Sequence, residues 1–428
     1  MVRSEAKVHD TAQLRFCVSL FTGAMGLDLG VEQAGFKTIV CNEIAETAIA
    51  TIRLNRPYLP VVSEPVEKIA LADLTKAAGT DLRDMDIVIG GPPCQAFSVF
   101  GQRRGIEDSR GKLVFEFIRL ISEIHPKVFI MENVRGLHSM PIMPNLDAHG
   151  RQQVPEEWAQ HGSLLREILR RFEKIGYRVD CFLVNVVNYG GPQIRERLIC
   201  IGNRFNLIAR FPQPQYSNRL CDQLPAFRTL RDAIGEHFHD PDPSLMDFSP
   251  RKLKYLSMVP AGGNWRSLPV EIQKESMGKA WYLKGGRSAY WRKLHFDFPS
   301  PTVITMPNHA GTSMCHPTEV RALTVGEMAA IQEFPRSWRF SGSPTDKCRQ
   351  VGNAVPPRLG LVAGQVAMEL LNQIQARKRT KNVTTLTPSS VQHIRPHVRT
   401  RSFYKKGKAL AGNHGYYDGK QDDQATLF

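Results

Sequence analysis

RFCVSLFTGAMGLDLGVEQA, residues 15–34, is the stretch that decides the fold. Residues 15–20 form a short apolar run of strand length that stops at a glycine-containing turn. Beyond the turn, apolar residues recur at helical spacing over residues 27–34, so the stretch predicts strand, tight turn, helix. Glycines directly after a strand let a ligand approach the backbone closely, and the helix that follows offers unpaired N–H groups to an anion. The same turn is also a mere tight connection in many α/β proteins, so the ligand stays open at this point.

Outward from that unit the same rhythm repeats. Short strands are predicted over residues 38–41, 86–89 and 128–131, the last entered after Pro126. Leu164, Leu165, Ile168, Leu169, Phe172 and Ile175 recur at three- and four-residue steps, an amphipathic helix that Gly176 ends. Strands follow over residues 179–187 and 198–201. Such alternation predicts an α/β fold with a Rossmann-like, parallel-rich sheet covered on both faces. Ligands in such sheets sit at the carboxyl ends of the strands. From about residue 206 to 319 the rhythm breaks into Pro-, Gly-, aromatic- and Arg/Lys-rich sequence, such as Pro260-Ala261-Gly262-Gly263-Asn264-Trp265. Helical spacing returns over residues 324–334 and 359–371, and residues 138–158 are predicted to be a surface insertion. The expected division is a sheet domain over residues 12–205 completed by 345–375, a smaller loop-rich domain and hinge over 206–344, and a basic flexible tail over 376–428.

Composition narrows the class. The 428 residues are 42% hydrophobic and 23% charged, ordinary for a globular protein, with a formal charge of +15 that favours a polyanionic partner. About half of the excess lies from residue 377 onward, where eleven Lys and Arg face three Asp. The eight cysteines never fall as Cys-x-x-Cys, and several sit in apolar runs such as Leu198-Ile199-Cys200-Ile201. That pattern predicts reduced core thiols, with neither a disulfide framework nor a metal site. The N-terminus lacks a signal-like apolar stretch and no run approaches ~20 apolar residues, so a cytoplasmic protein without membrane contact is expected.

Several residues are placed for chemistry. The second strand ends in Asn42-Glu43, about twenty residues after the Gly turn; a carboxylate there accepts hydrogen bonds from ribose hydroxyls or is simply a solvated loop acid. Gly91-Pro92-Pro93-Cys94-Gln95-Ala96-Phe97-Ser98 stiffens the loop after the third predicted strand and puts the Cys94 thiol over the sheet. A lone cysteine is usually an inert core residue; a thiolate framed in this way is a candidate nucleophile. The next strand runs into Glu132-Asn133-Val134, and an acid beside a nucleophile is a candidate proton donor. Gln193-Ile194-Arg195-Glu196-Arg197 places two arginines on one side by period-two alternation. They form a solvated strand face or, aimed inward, hold a carbonyl oxygen, phosphate or thiolate.

In this order the motifs resemble the DNA (cytosine-5-)-methyltransferase family of the bacterial restriction-modification type. They are the Phe21-Thr22-Gly23 turn, Asn42-Glu43, Pro93-Cys94-Gln95, Glu132-Asn133-Val134 and Gln193-x-Arg195-x-Arg197. After the loop-rich region come Arg321-Ala322-Leu323-Thr324, Gln332-Glu333-Phe334-Pro335 and Gln350-Val351-Gly352-Asn353-Ala354-Val355-Pro356-Pro357, so the resemblance covers about residues 15–372. It implies methyl transfer from S-adenosylmethionine to C5 of a flipped cytosine in double-stranded DNA, through a covalent bond from Cys94 to C6. It implies Glu132 at N3, Arg197 at O2 with Arg195 as a further catalytic residue, and a loop over 97–110 that closes on DNA. It also implies a cofactor site of Phe21, Gly23, Ala24, Gly26, Glu43, Ile44, Pro92, Asn353 and Val355. Gln95, Ser98, Phe100, Arg103, Arg104, Arg292 and Thr302 fall on the DNA side, with Phe100 either filling the vacated duplex or packing inside the protein. Met25-Gly26 stands where many relatives have Gly-Gly, Ser19 where many have an acid, and Glu64 is taken for the acid that reads the adenine amino group. Gln424-Ala425-Thr426-Leu427-Phe428 resembles peptides that dock on the bacterial sliding clamp. A monomer in the nucleoid is expected. The competing readings are a transfer-RNA methyltransferase of the same fold, whose Cys-Phe-Thr segment is absent here, and a silent DNA-binding regulator, which an intact Cys94, Glu132 and Arg197 disfavours.

Overall fold

The computed structural model describes residues 14–93, 112–142, 155–282, 287–377 and 385–394, with short backbone pieces at 404–405 and 408–409. The first half alternates strand and helix, with two helices in succession only before the last strand: β1 (Arg15–Leu20), α1 (Gly26–Gln33), β2 (Phe36–Asn42), α2 (Glu46–Asn55), β3 (Val61–Val62), α3 (Leu71–Ala78), β4 (Ile87–Gly90), α4 (Leu113–Ile124), β5 (Val128–Val134), α5 (Glu156–Ala159), α6 (Ser163–Lys174) and β6 (Arg178–Asn185). There follow β7 (Gln193–Ile194), β8 (Glu196–Asn203), α7 (Leu230–Ile234), α8 (Pro250–Ser257), α9 (Val270–Met277), β9 (Ser300–Pro301), α10 (Val325–Ile331), α11 (Pro344–Asn353), α12 (Pro357–Ala376) and β10 (Ser390–His393).

Eight strands form one sheet in the order β10-β6-β8-β5-β4-β1-β2-β3. All neighbours are parallel except β8, which runs antiparallel to both β5 and β6. Period-two alternation sends the side chains of each strand into two separate cores, as expected for a sheet buried on both faces. Val88, Phe129, Met131, Leu198 and Cys200 pack against α4 and α6 on one face. Ile87, Ile89, Val128, Ile130, Ile199 and Ile201 pack against α1 and α12 on the other.

Helix α12, drawn from far along the chain, meets α1 backbone to backbone. A Cβ on Gly30 would lie 2.0 Å from the Pro357 carbonyl oxygen, and one on Gly360 2.5 Å from that of Leu27, so only glycine fits at either place. Residues 206–344 have a core of their own around Tyr255, Trp265 and Trp291. A second core is shared with the sheet unit, joining Met25, Leu29 and Ile52 to Leu323, Met328 and Val351.

Two boundaries differ from the sequence reading for local reasons. Gly176, at φ +87°, ends α6 as expected, though the helix stops at Lys174. Helix α10 starts in a Thr324–Glu327 capping box and stops at Ile331, short of residue 334, because Glu333 takes a left-handed conformation at φ +65°. A larger difference concerns the tail. Residues 385–394, read as flexible, are built into the molecule: β10 adds an eighth strand beside β6. The reason lies on β6, where Arg178 and Asp180 form a buried ion pair at 2.8 Å. Arg178 donates to the Pro388 carbonyl at 2.8 Å and Asp180 accepts from the Ser390 hydroxyl at 2.6 Å, so a polar segment finds buried partners. Residues 143–154 of the expected insertion lie outside the described residues, while Leu137 and Ile142 on its near side are buried in the core.

Asp180→Ala leaves the Arg178 charge buried without its partner, which costs about 3–5 kcal/mol. Urea unfolding followed by circular dichroism is expected to show that loss, and an unchanged midpoint would contradict the anchoring role given to the pair.

Candidate active site

The carboxyl ends of β1, β2, β4 and β5 open into a cleft of about 670 Å³, within the range of small-molecule sites. Its first wall is the turn after β1. Phe21, Gly23 and Met25 all have positive φ, at 54°, 56° and 64°, a strained arrangement for the two non-glycine residues. The following helix start comes so close to the 354–355 segment that a Cβ on Gly26 would lie 2.2 Å from the Val355 carbonyl. Glu43 ties this turn to the next helix: one carboxylate oxygen accepts from the Gly23 N–H at 2.6 Å, the other from the Ile44 and Ala45 N–H groups at 2.9 and 2.8 Å. Ile44 stays 59% exposed at the rim. Asn42 donates to the carbonyls of Val62 and Glu64, both at 2.9 Å, and so fixes the third wall.

The floor is made by β5 and β8. Because β8 runs antiparallel, Arg197 pairs in register with Val134 and Glu132 with Ile199, and the Arg197 guanidinium reaches the Glu132 carboxylate at 2.7 Å. Burial pushes the Glu132 carboxyl above the ordinary carboxylate range, against the opposing pull of Arg197 and Arg195. Asn133 donates to the Pro92 carbonyl at 3.1 Å, which holds the described end of the Gly91-Pro92-Pro93 loop against β5. A Cβ on Gly91 would approach a Glu132 carboxylate oxygen at 3.2 Å.

Of the residues expected from sequence, Phe21, Gly23, Ala24, Gly26, Glu43, Ile44, Pro92, Glu132, Arg197, Asn353 and Val355 line this one cleft. Cys94, Gln95, Ser98, Phe100, Arg103 and Arg104 lie outside the described residues. Arg195 is brought near but turned away from the cleft: its two terminal nitrogens donate to the carbonyls of Val303, Gly352 and Ala354 at 2.8 to 2.9 Å. Glu64 is not among the lining residues, where Pro65, Val66 and Glu67 appear instead. Thr302 donates its hydroxyl to the Ile194 carbonyl at 2.7 Å, and Arg292 donates to that of Ser313 at 3.1 Å. The cleft also contains Asp28, Asp346 and Arg349, which the sequence reading did not name, and Gln350, which it quoted only within a motif. The last three share α11 with Asn353, so that helix was the available signal. No group of three or more potential metal ligands occurs among the described residues, and none of their helices is long and apolar enough to cross a membrane.

The chain matches a family model described as C-5 cytosine-specific DNA methylase over residues 16–369. It is 39% identical to the type II methyltransferase M.PspPI of Psychrobacter sp. (strain TA137), covering 83% of this chain and 79% of that one. It is 40% identical to the type II methyltransferase M.Eco47II of Escherichia coli, covering 84% and 80%. Among solved structures, the Entamoeba histolytica methyltransferase EhMeth aligns over 85% of this chain and 99% of its own, with a TM-score of 0.53 at 15% identity. That likeness speaks for the fold alone.

Replacing Arg197 by Met removes the largest influence that lowers the Glu132 pKa, so that pKa is expected to climb further. A ¹³C titration of the Glu132 carboxyl reads this directly. An unchanged or lowered value would mean that the two side chains are not coupled in solution.

Proposed function

The chain belongs to the C-5 cytosine-specific DNA methylases, DNA (cytosine-5-)-methyltransferases that draw their methyl group from S-adenosylmethionine, and from that membership we propose that it is a type II modification enzyme working by covalent catalysis on a flipped cytosine. The observation that carries the mechanism is the buried Glu132–Arg197 pair at the cleft floor, beside the loop that leads into Cys94.

The cleft suits the methyl donor. Phe21 and the exposed Ile44 offer apolar surface for a flat base, the Glu43 carboxylate lies where ribose hydroxyls would donate, and Gly26 lets the helix start close against Val355 at the cleft wall. When bound, S-adenosylmethionine supplies an electrophilic methyl group on a positively charged sulfur. C5 of cytosine is too poor a nucleophile to take that methyl unaided. Cys94 answers this by adding its thiolate to C6, which moves an electron pair to C5. Glu132 holds a proton at N3 as the negative charge develops, and its raised pKa favours the protonated carboxyl that this task needs. Arg197 hydrogen-bonds O2 and keeps Glu132 oriented. Once C5 carries the methyl, water takes up the C5 proton, the pair of that C–H bond restores the C5–C6 double bond, and the C6–S bond breaks to return the Cys94 thiolate. Arg195 acts as a positioning residue, holding the 352–354 segment against the sheet. The target base reaches such a floor only if it leaves the duplex. Gln95, Ser98, Phe100, Arg103 and Arg104 on one side and Arg292 and Thr302 on the other are the proposed DNA contacts. The role of Glu64 at the adenine passes in this proposal to Glu67, which lines the cleft.

Two further proposals rest on sequence: docking of Gln424–Phe428 on a sliding clamp, and association of a monomer with the nucleoid. Clamp binding that survives deletion of the last five residues would remove the first.

Transfer of a labelled methyl group to duplex DNA tests the reading. Glu132→Gln is expected to lower kcat by about 10²–10⁴-fold, and Cys94→Ser to abolish turnover, both with DNA binding retained. Label appearing on RNA alone, or turnover in Cys94→Ser comparable to the parent, would overturn it.

A further inference from the structure

We propose that Asp28 is the anionic contact for the positive charge of the methyl donor, a binding residue at the bottom of the cleft; the inference rests on reading this cleft as the S-adenosylmethionine site. Four acids are buried among the described residues: Asp28, Glu132, Asp180 and Glu327. Three of them hold an arginine, Glu132 with Arg197, Asp180 with Arg178 and Glu327 with Arg321. Asp28 is the exception. It is 1% exposed, yet neither carboxylate oxygen has a hydrogen-bond partner, and the nearby Thr38 hydroxyl is left unpaired as well. Ser19, close enough to influence the carboxylate, instead shares a 2.9 Å hydrogen bond with Thr22.

The charged and titratable groups that bear on Asp28 offer it no counter-charge. They are Glu32 on its own helix, Cys17 on β1 and Cys41 on β2, and none supplies positive charge. Burial therefore drives the carboxyl up to about 7, since a lone charge in low dielectric is penalised. A buried carboxylate kept for stability is usually paired with a positive group, as the other three are. This one lies in the first turn of α1, where only its own N–H and the Ser19 and Thr38 hydroxyls favour the anion and no cation does.

Its position supplies the reason to retain it. Asp28 lines the cleft together with Ser19, Leu20 and Thr22. The other charged groups on that lining are Glu43, Glu67, Glu132 and Asp346 against Arg197 and Arg349. Even with Glu132 protonated, Asp28, Glu43, Glu67 and Asp346 outnumber Arg197 and Arg349, so the balance is acidic. An acidic pocket repels DNA phosphate and suits a small cation. The methyl donor carries two positive groups, the sulfonium and the amino-acid ammonium. Either is complementary to a buried carboxylate that has no counter-charge in the protein.

Calorimetric titration of the full chain at pH 8, with S-adenosylmethionine and with its demethylated product, compares the parent with Asp28→Asn. The variant is expected to bind the methyl donor at least tenfold more weakly while melting no lower than the parent, because the near-isosteric amide no longer buries a charge. A loss confined to the donor assigns the sulfonium, and an equal loss for both ligands assigns the ammonium, which the product retains. Donor affinity within twofold of the parent would overturn the proposal. A second measurement does not depend on the variant: in the parent, saturating donor is expected to lower the pH at which the Asp28 carboxyl titrates by ¹³C NMR, and an unmoved titration would overturn it equally. A parent protein that binds neither ligand would instead sink the cofactor reading of the cleft.

Discussion

The reversal of one strand controls the chemistry of this molecule. In a wholly parallel sheet, the carboxyl end of β5 would face the carboxyl end of its neighbour, and the residues that open that neighbour would lie at the far edge. Here β8 runs against β5, so the Gln193-to-Arg197 segment arrives at the cleft instead of leaving it. Arg197 thereby meets Glu132 at 2.7 Å in a site where burial strengthens every electrostatic interaction. Without that reversal the acid would be buried without its partner.

The same segment also joins the two halves of the chain. Arg195, one residue before β8, spans to the carbonyls of Val303, Gly352 and Ala354, and Gln193 donates to Gln332 at 2.6 Å. Gln332 in turn donates to the carbonyls of Val351 and Ala354. Buried polar networks of this kind favour one arrangement of the elements they join, here through every polar side-chain group named except the Arg195 Nε, which finds no partner. The arrangement specified is the placement of Asn353 and Val355 at the cleft, close against the turn after β1. Backbone contact of α12 with α1 through Gly30 and Gly360 completes the closure.

Much of this is legible in the sequence. The strand, glycine turn and helix of residues 15–34 and the end of α6 at Gly176 follow from periodicity and turn chemistry, while the convergence of Glu43, Glu132, Arg197 and Asn353 is implied by the family resemblance. What was not legible depends on partners, which periodicity does not encode. Alternation says that β8 is a buried strand but not which way it runs. The segment over residues 385–394 reads as tail because its polar groups find partners only on β6, at Arg178 and Asp180. Period-two spacing puts Arg195 and Arg197 on one side, yet Arg195 lies between β7 and β8 and is captured by three carbonyls. Asp28 looks like any polar helix residue; only the absence of a counter-charge around it marks it out. Glu64 was chosen by position along the chain, while Glu67, three residues on, lines the cleft.

Everything functional in this account requires that a sulfur of the protein bond to the pyrimidine ring during turnover. A duplex carrying 5-fluorocytosine at the target position tests this most directly, because fluorine at C5 cannot leave as a proton does and the bond to C6 persists. Incubated with S-adenosylmethionine, the parent protein is predicted to form a denaturant-resistant adduct whose peptide map ends at Cys94, and Cys94→Ser to form none. A preparation that methylates ordinary DNA yet yields no adduct with the fluorinated duplex would contradict it.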